Sequence, residues 1–437
     1  MKFRNIIYIA LVLFISCKSG INDKFRKDDS NSGFYSSNSV LNNPKVMWKY
    51  KTGGIINASP VCDDKSLYIG SADSIFYSLN IETGAINWQY QTGGKIFSTA
   101  CLSSDFVYFL SYDGYLYKVN KKSGALIWKF KTEGEETNMI KDYYNLSRFA
   151  ADFWDFYQSS PVEKDNMIYF GCGKYFYAVK STTGEEMWSV SIDGVNHSSP
   201  AIQNDKIIFG SFDSNVYCLN RHTGEKIWSY ETGRDTAQYV WLGIQASPAI
   251  DGENVYIGSR DGLIYKFNIN TGDTIWTNNN FERSWMPSSF AIGDKIYCGS
   301  SDAFSFYEID KESGEINYRL STNSYTFSSP AIDSNMAYIG SANGRLYGIN
   351  LKKQQISWEF RTHGSLTDTL GIYNENGIVN VERLREILKQ DNVTDYDNLV
   401  RFYYKMFISQ GAILSSPVIK NGIIYFGSND RYVYAVK

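Results

Sequence analysis

Histidine is nearly absent from this 437-residue chain: His197, His222 and His363 are all it has. No pair of them has the spacing of metal ligands or of a general base and its partner, so zinc chemistry and histidine-based acid–base catalysis have little to build on. Cysteine is sparse too. There are six, no two adjacent and none in a Cys-x-x-Cys pair, which leaves no thiol redox motif. A glycine-rich phosphate loop and a Ser-His-Asp set are also missing. Charge of one sign is lacking, with 43 Lys plus Arg against 46 Asp plus Glu, so nothing favours a nucleic-acid partner. The one sustained apolar run, Ile6 to Ile15, is ten residues, half of the roughly 20 a bilayer-spanning helix needs. What the chain does have is 35 Gly, 34 Tyr and 16% aromatic residues, the composition of a β-rich fold.

From Met47 onward the chain repeats itself. The unit is clearest in Ala246 to Trp276, ASPAIDGENVYIGSRDGLIYKFNINTGDTIW, and it starts eight times: at Ser59-Pro60, Ser98-Thr99, Ser160-Pro161, Ser199-Pro200, Ser247-Pro248, Ser289-Phe290, Ser329-Pro330 and Ser416-Pro417. Each unit holds four short alternating segments. Asp-Gly or an equivalent joins the second to the third, and Thr-Gly or Ser-Gly the third to the fourth, where tight turns need positive φ. Four strands per period of about 40 residues predict an all-β fold, an eight-bladed β-propeller of four-stranded blades spanning 45–437.

The fourth segment carries an aromatic at a fixed place: Trp48, Trp88, Trp128, Trp188, Trp228, Trp276, Tyr318 and Trp358. These are expected to be structural wedges between blades. The last unit ends at Tyr434-Ala435-Val436-Lys437 without a fourth strand, and Trp48 belongs to a fourth strand without a blade. Pairing 45–52 with the final three strands closes the ring. The turn aspartates Asp73, Asp113, Asp213, Asp261 and Asp430 form a ring of carboxylates that backbone geometry explains better than calcium. Cys62, Cys101, Cys172, Cys218 and Cys298 fall one per blade and read as small buried hydrophobes. Cys62 and Cys101 occupy equivalent places in neighbouring blades, which leaves a disulfide between them open.

Departures from the repeat point to function. Long insertions, about 133–158, 233–245, 278–287 and 362–414, all join a fourth strand to the next first strand, so they crowd one face. In the first, Ile140, Tyr143, Tyr144, Phe149, Ala150, Phe153, Trp154 and Tyr157 at three- and four-residue spacings predict an amphipathic helix. The last predicts two, Val381 to Gln390 with Asn380 as N-cap and Asp397 to Ile408. Their apolar stripes either pack on the propeller rim or roof the channel mouth. In the second case Tyr144, Trp154, Tyr157, Trp241, Trp285, Phe402 and Tyr403 are the candidate face for a protein partner or a ligand with planar faces such as a glycan.

The amino terminus has the layout of an export signal over residues 1–16: Lys2 and Arg4, the apolar run, then Ser16. Ser16-Cys17 is similar to the lipobox of bacterial lipoproteins, which implies lipid attachment at Cys17. Residues 17–44 are rich in Ser, Asn, Asp and Lys and read as a flexible tether with a reach of about 28 Å. The expected location is therefore exported and lipid-anchored, with no membrane contact beyond the lipid and no oligomer required.

The pattern SSPAI, VYIGS, DG, VYALN, TG, W closely resembles the pyrroloquinoline-quinone (PQQ) propeller repeat, over nearly all of Met47 to Lys437. Within that superfamily, an eight-bladed lipoprotein with a short amino-terminal tether resembles the BamB family of outer-membrane assembly lipoproteins. That resemblance implies a non-enzymatic scaffold at the periplasmic side of the outer membrane, with the β-barrel assembly machinery as partner. A glycan- or ligand-binding propeller is the second reading. A PQQ-dependent dehydrogenase is the third: by resemblance it would need an adjacent cysteine pair, an acidic calcium site and an Asp base, and the missing pair argues against PQQ and calcium as cofactors.

Overall fold

Residues that are apolar on both sides make the second and third strands of each unit, and residues that alternate make the fourth. In the computed structural model, which describes residues 24–140, 149–233, 243–282 and 284–437, these segments form eight antiparallel four-stranded sheets. A typical third strand, Phe76 to Leu79, is buried throughout, because neighbouring blades stack face to face; a typical fourth strand, Leu126–Lys131, is exposed at every second residue. Blades 1 to 7 cover 61–91, 101–131, 162–191, 201–231, 249–278, 291–321 and 331–361. Blade 8 combines 418–436 with Val46–Lys51.

Closure follows the predicted register. Trp48 pairs with Ala435 and Tyr50 with Val433, and Lys45 and Lys437 exchange both backbone hydrogen bonds, at 2.8 and 2.9 Å. The chain ends thus share one sheet, and no blade edge is left unpaired there.

First strands meet around the axis, where a second set of bonds joins the blades. At seven of the eight repeat starts the Ser or Thr hydroxyl accepts the backbone N–H of the equivalent residue one blade earlier. Thr99 accepts from Ser59, Ser160 from Thr99, Ser199 from Ser160, Ser247 from Ser199, Ser329 from Ser289, Ser416 from Ser329 and Ser59 from Ser416, at 2.8–3.3 Å. These N–H groups are buried and have no partner within their own blade, so a hydroxyl on the neighbour satisfies them. The repeated serine is an axial staple.

The aromatic wedges dock outward of these staples. Six of the seven indole N–H groups donate to a backbone carbonyl of the next blade: Trp48 to Ile81, Trp88 to Lys121, Trp128 to Ser181, Trp188 to Arg221, Trp228 to Ile269 and Trp276 to Lys311, at 2.9–3.3 Å. The ring lies flat on that blade's turn glycine. A Cβ on Gly272, which has φ +76°, would sit 2.7 Å from Trp228. Thr-Gly is therefore dictated twice, by the turn and by the indole above it. Where Tyr318 replaces Trp, the next turn has Gln354 at φ 53° in place of glycine. With a smaller ring above it, that turn tolerates a Cβ.

The amino-terminal segment differs from its expectation. Residues 24–44 pack across the face that carries the first-to-second-strand turns and are no flexible tether; the part of the expected tether before residue 24 lies outside the described residues. Ile202, Ile250, Ile292 and Ile332, equivalent residues of blades 4 to 7, donate N–H to the carbonyls of Asp29, Ser30, Ser32 and Gly33 at 2.6–2.9 Å. Trp358 donates to Val40 at 2.8 Å, because blade 8 has a chain break where its turn would be. Composition misled here: the segment is polar, yet its polar groups satisfy the inner strands' exposed backbone rather than water.

The opposite face carries the helices α1 (His363–Thr367), α2 (Val381–Gln390) and α3 (Tyr396–Gln410). As predicted, Asn380 caps α2, accepting from Arg383 N–H; Asp395 caps α3, which stops at left-handed Gly411. No helix among the described residues is long and apolar enough to cross a membrane.

Candidate functional site

The insertion face is the one the turn aspartates mark. Asp73 and Asp113 each accept the N–H of a glycine that follows a fourth strand, Gly53 and Gly93, both at 2.7 Å. Each also accepts the hydroxyl of the tyrosine four residues on, Tyr77 and Tyr117, at 2.7 Å. Asp213, Asp261 and Asp430 hold Tyr217, Tyr265 and Tyr434 likewise. These carboxylates lock turns to loops. Among the described residues no three His, Cys, Asp or Glu side chains are grouped to hold a metal ion.

One ring position lies just above the serine staples, two residues before each. Going round, it holds Asn57, Phe97, Gln158, His197, Gln245, Pro287, Phe327 and Leu414. Four are polar and line a small pocket on the axis with room for about 20 Å³, which Phe25 of the amino-terminal segment also lines. Above it lies the roof. Trp154 and Phe156 pack on Phe327, with ring centroids 5.7 and 5.1 Å away, and Phe153 stacks on Tyr403 and Phe407 of α3. Tyr157 closes the lid by donating to the carbonyls of Phe327 and Leu414 at 2.5 and 3.1 Å.

A buried ionic network holds the first insertion to this mouth. His197 bridges two carboxylates, Nδ1 to Asp155 at 2.6 Å and Nε2 to Glu135 at 3.2 Å, with all three side chains fully buried. Burial works against a charged imidazole, but the two carboxylates outweigh it and raise His197 to about 10, so it is an imidazolium at neutral pH. Glu135 also accepts from Gly173 N–H and Gln158, and Asp155 from Asn138 N–H. Next to it Arg260 pairs with Asp152, donates to Gln245 at 2.8 Å, and lies between the rings of Phe212 and Trp285, 4.7 Å from each. Lys95, over the Tyr112 ring at 4.1 Å, faces Asp155 and Glu135. Three carboxylates thus meet three cations. Each charge has partners, as burial demands, and the network ties the first insertion to the starts of blades 4 and 5.

Among its described residues the first insertion has no helix, while 141–148, with Tyr143 and Tyr144 of the predicted stripe, lie outside them. Met139–Ile140 pairs antiparallel with Ala150–Ala151, and turns follow. A helix would have put Asp152 and Asp155 on its watered side; both instead turn inside, Asp152 to Arg260 and Asp155 to His197. Of the candidate face residues, Tyr144 and Trp241 lie outside the described residues. Trp154, Tyr157, Trp285, Phe402 and Tyr403 do converge, but as one packed cluster with Trp154, Trp285 and Phe402 buried. They form the roof's core and offer no open face. The large apolar side chains exposed on this side are others, among them Leu366, Ile378, Val381 and Tyr404. The five described cysteines are all buried as thiols, so the Cys62–Cys101 disulfide does not form.

The family model for the outer membrane protein assembly factor BamB matches residues 39–148, 112–280 and 260–376. The chain belongs to the BamB family. Among solved structures, BamB from Moraxella catarrhalis is 13% identical with a TM-score of 0.61, the match covering 90% of this chain and 97% of that one. A europium-containing methanol dehydrogenase is 12% identical, TM-score 0.67, over 95% and 98%. Quinohemoprotein alcohol dehydrogenase from Comamonas testosteroni is 11% identical, TM-score 0.68, over 95% and 80%. No curated protein matches in sequence. At such identities the structural likenesses show the eight-bladed fold, which the BamB family shares with quinoprotein enzymes.

The ionic network had a sequence signal that escaped notice. Arg260 stands in the column otherwise held by Ala72, Tyr112, Gly173, Phe212, Ser301, Ala342 and Asn429, and His197 in the ring column described above. Compared column by column, both are charged intruders at channel-lining positions.

Proposed function

We propose that this BamB-family protein is an envelope lipoprotein, attached through Cys17, that works as a non-catalytic protein-interaction scaffold on the periplasmic side of the outer membrane, with the β-barrel assembly machinery as partner. The observation that carries this reading is the filled channel. Aromatics and an ionic network stop its upper mouth, and residues 24–44 stop the lower. A propeller so closed recognises other molecules on its outer surface, and surfaces of this size suit proteins.

The residues do not fit a quinone cofactor. The place above the ring of inner strands is occupied by Trp154, Phe156, Trp285 and Phe327, and the cysteines lie singly, one to a blade. The glycan reading loses its described aromatics, since Trp154 and Trp285 are spent on packing. Photocrosslinkers placed at exposed positions of α2 in whole cells test the proposal. Recovery of barrel-assembly components supports it; recovery of soluble ligands alone, or of nothing, removes the assembly assignment.

A further inference from the structure

The packed amino-terminal segment fixes more than the fold. Besides the four carbonyls it lends to blades 4 to 7, it buries Arg26, whose guanidinium donates to the carbonyls of Pro330 at 2.5 Å and Phe290 at 2.9 Å. Asn31 donates to the carbonyls of Pro200 and Pro248, at 3.2 and 2.9 Å. Lys24, the first described residue, reaches the Glu163 carbonyl of blade 3 at 3.3 Å and pairs with Asp29 at 2.7 Å. The segment is therefore seated from its first described residue, close to the axis, on the face opposite the helices.

With Cys17 lipidated, as the proposed function has it, the link between the lipid and that seat is residues 18–23. Six residues span at most about 20 Å when fully extended. A compact chain of this length has a radius of gyration of about 22 Å, and its rim lies further out still, so a link that starts near the axis cannot round the rim. We propose that the face plugged by residues 24–44 is the membrane-facing surface, held within about 20 Å of the phospholipid headgroups, and that the helical roof points away from the bilayer. The turns of the plugged face pair acids with bases, Asp64 with Lys420, Asp165 with Arg221 and Asp310 with Lys295, so this face has no charge of one sign to draw it into anionic headgroups. The orientation comes from a short leash and not from an affinity for lipid. It leaves α1, α2 and α3 free for a partner.

This inference rests on lipidation, and its test separates the two. Full-length lipidated protein is reconstituted into phospholipid vesicles carrying a headgroup energy-transfer acceptor. A donor dye is placed on Ser104→Cys, in a plugged-face turn, or on Arg385→Cys, on α2; the five described native cysteines are buried and stay unlabelled. Transfer from position 104 should exceed that from 385 several-fold, and inserting about twenty Gly and Ser residues after Gly20 should abolish the difference by freeing the body to tumble. Equal transfer from the two positions with the native link, or stronger transfer from 385, overturns the orientation while leaving the lipid anchor intact. Protein that never fractionates with membranes, or that does so equally as Cys17→Ser, overturns the anchor and the orientation with it.

Discussion

Removing the charge of His197 should expose how the first insertion is held. The imidazole lies between Asp155 and Glu135, fully buried, and titrates near 10 against an ordinary 6.5. Its value is raised in the folded state, so its contribution to stability is complete below about pH 6.5 and is lost as pH rises toward 10. At about 1.4 kcal/mol per tenfold change in affinity for the proton, the contribution is on the order of 5 kcal/mol. In His197→Phe both carboxylates lose this partner, and breaking a buried pair from one side typically costs about 3–5 kcal/mol. They keep Gly173 N–H, Gln158 and Asn138 N–H as donors. Urea unfolding of parent and variant between pH 6 and 10 gives the difference in stability directly, and lysine and tyrosine titrations common to both cancel. The gap should be several kcal/mol at pH 6.5 and shrink steadily toward pH 10. A gap that holds constant over that range would show that His197 is neutral and packs as an aromatic, and the ionic account of the roof would be wrong.

Arg260→Met should destabilise by about 3–5 kcal/mol by stranding Asp152, and adding Asp152→Asn should restore part of that loss in a double-mutant cycle followed by denaturant unfolding. Gly272→Ala should lower stability by at least about 1–2 kcal/mol, from left-handed backbone strain plus displacement of Trp228, whereas Gln354→Gly should raise it by up to about 1 kcal/mol; thermal melts that moved together would refute the paired logic of turn and wedge. Ser199→Ala should cost about 1–3 kcal/mol by leaving the buried Ser160 N–H without an acceptor, seen as faster amide exchange at Ser160.

How far the sequence revealed the molecule depends on how often a feature recurs. The blade count, the order of strands, the wedge residues and the closing strand were all legible because each is written eight times, or is the single gap in such a series. The cap of α2 was legible because Asn380 acts locally; Asp395, which caps α3, was not singled out, and that helix starts at Tyr396 rather than Asp397. What happens once, and between distant residues, was not. The pairing of Asp155 with His197 joins residues 42 apart through a fold that spacing alone cannot show, and it overrode a helical periodicity in the same stretch. The seat of residues 24–44 was hidden for a different reason. A polar segment with few apolar groups looks unfoldable until a ring of inner strands offers it unpaired N–H groups, and that ring exists only once the propeller has closed. The aromatics of the roof were correctly seen to converge; the sequence could not say that they would face one another.

The account stands on a ring held shut by its own first strand. Thermal unfolding of a chain beginning at Val46 and of one beginning at Gly53 tests this most directly. The first keeps Val46–Lys51 in blade 8 and should still unfold in one cooperative step, at a lower temperature for want of the plug. The second should lose the cooperative transition altogether. A chain beginning at Gly53 that melts as sharply and at the same temperature as one beginning at Val46 would contradict the closure, and with it the sealed channel from which the function is argued.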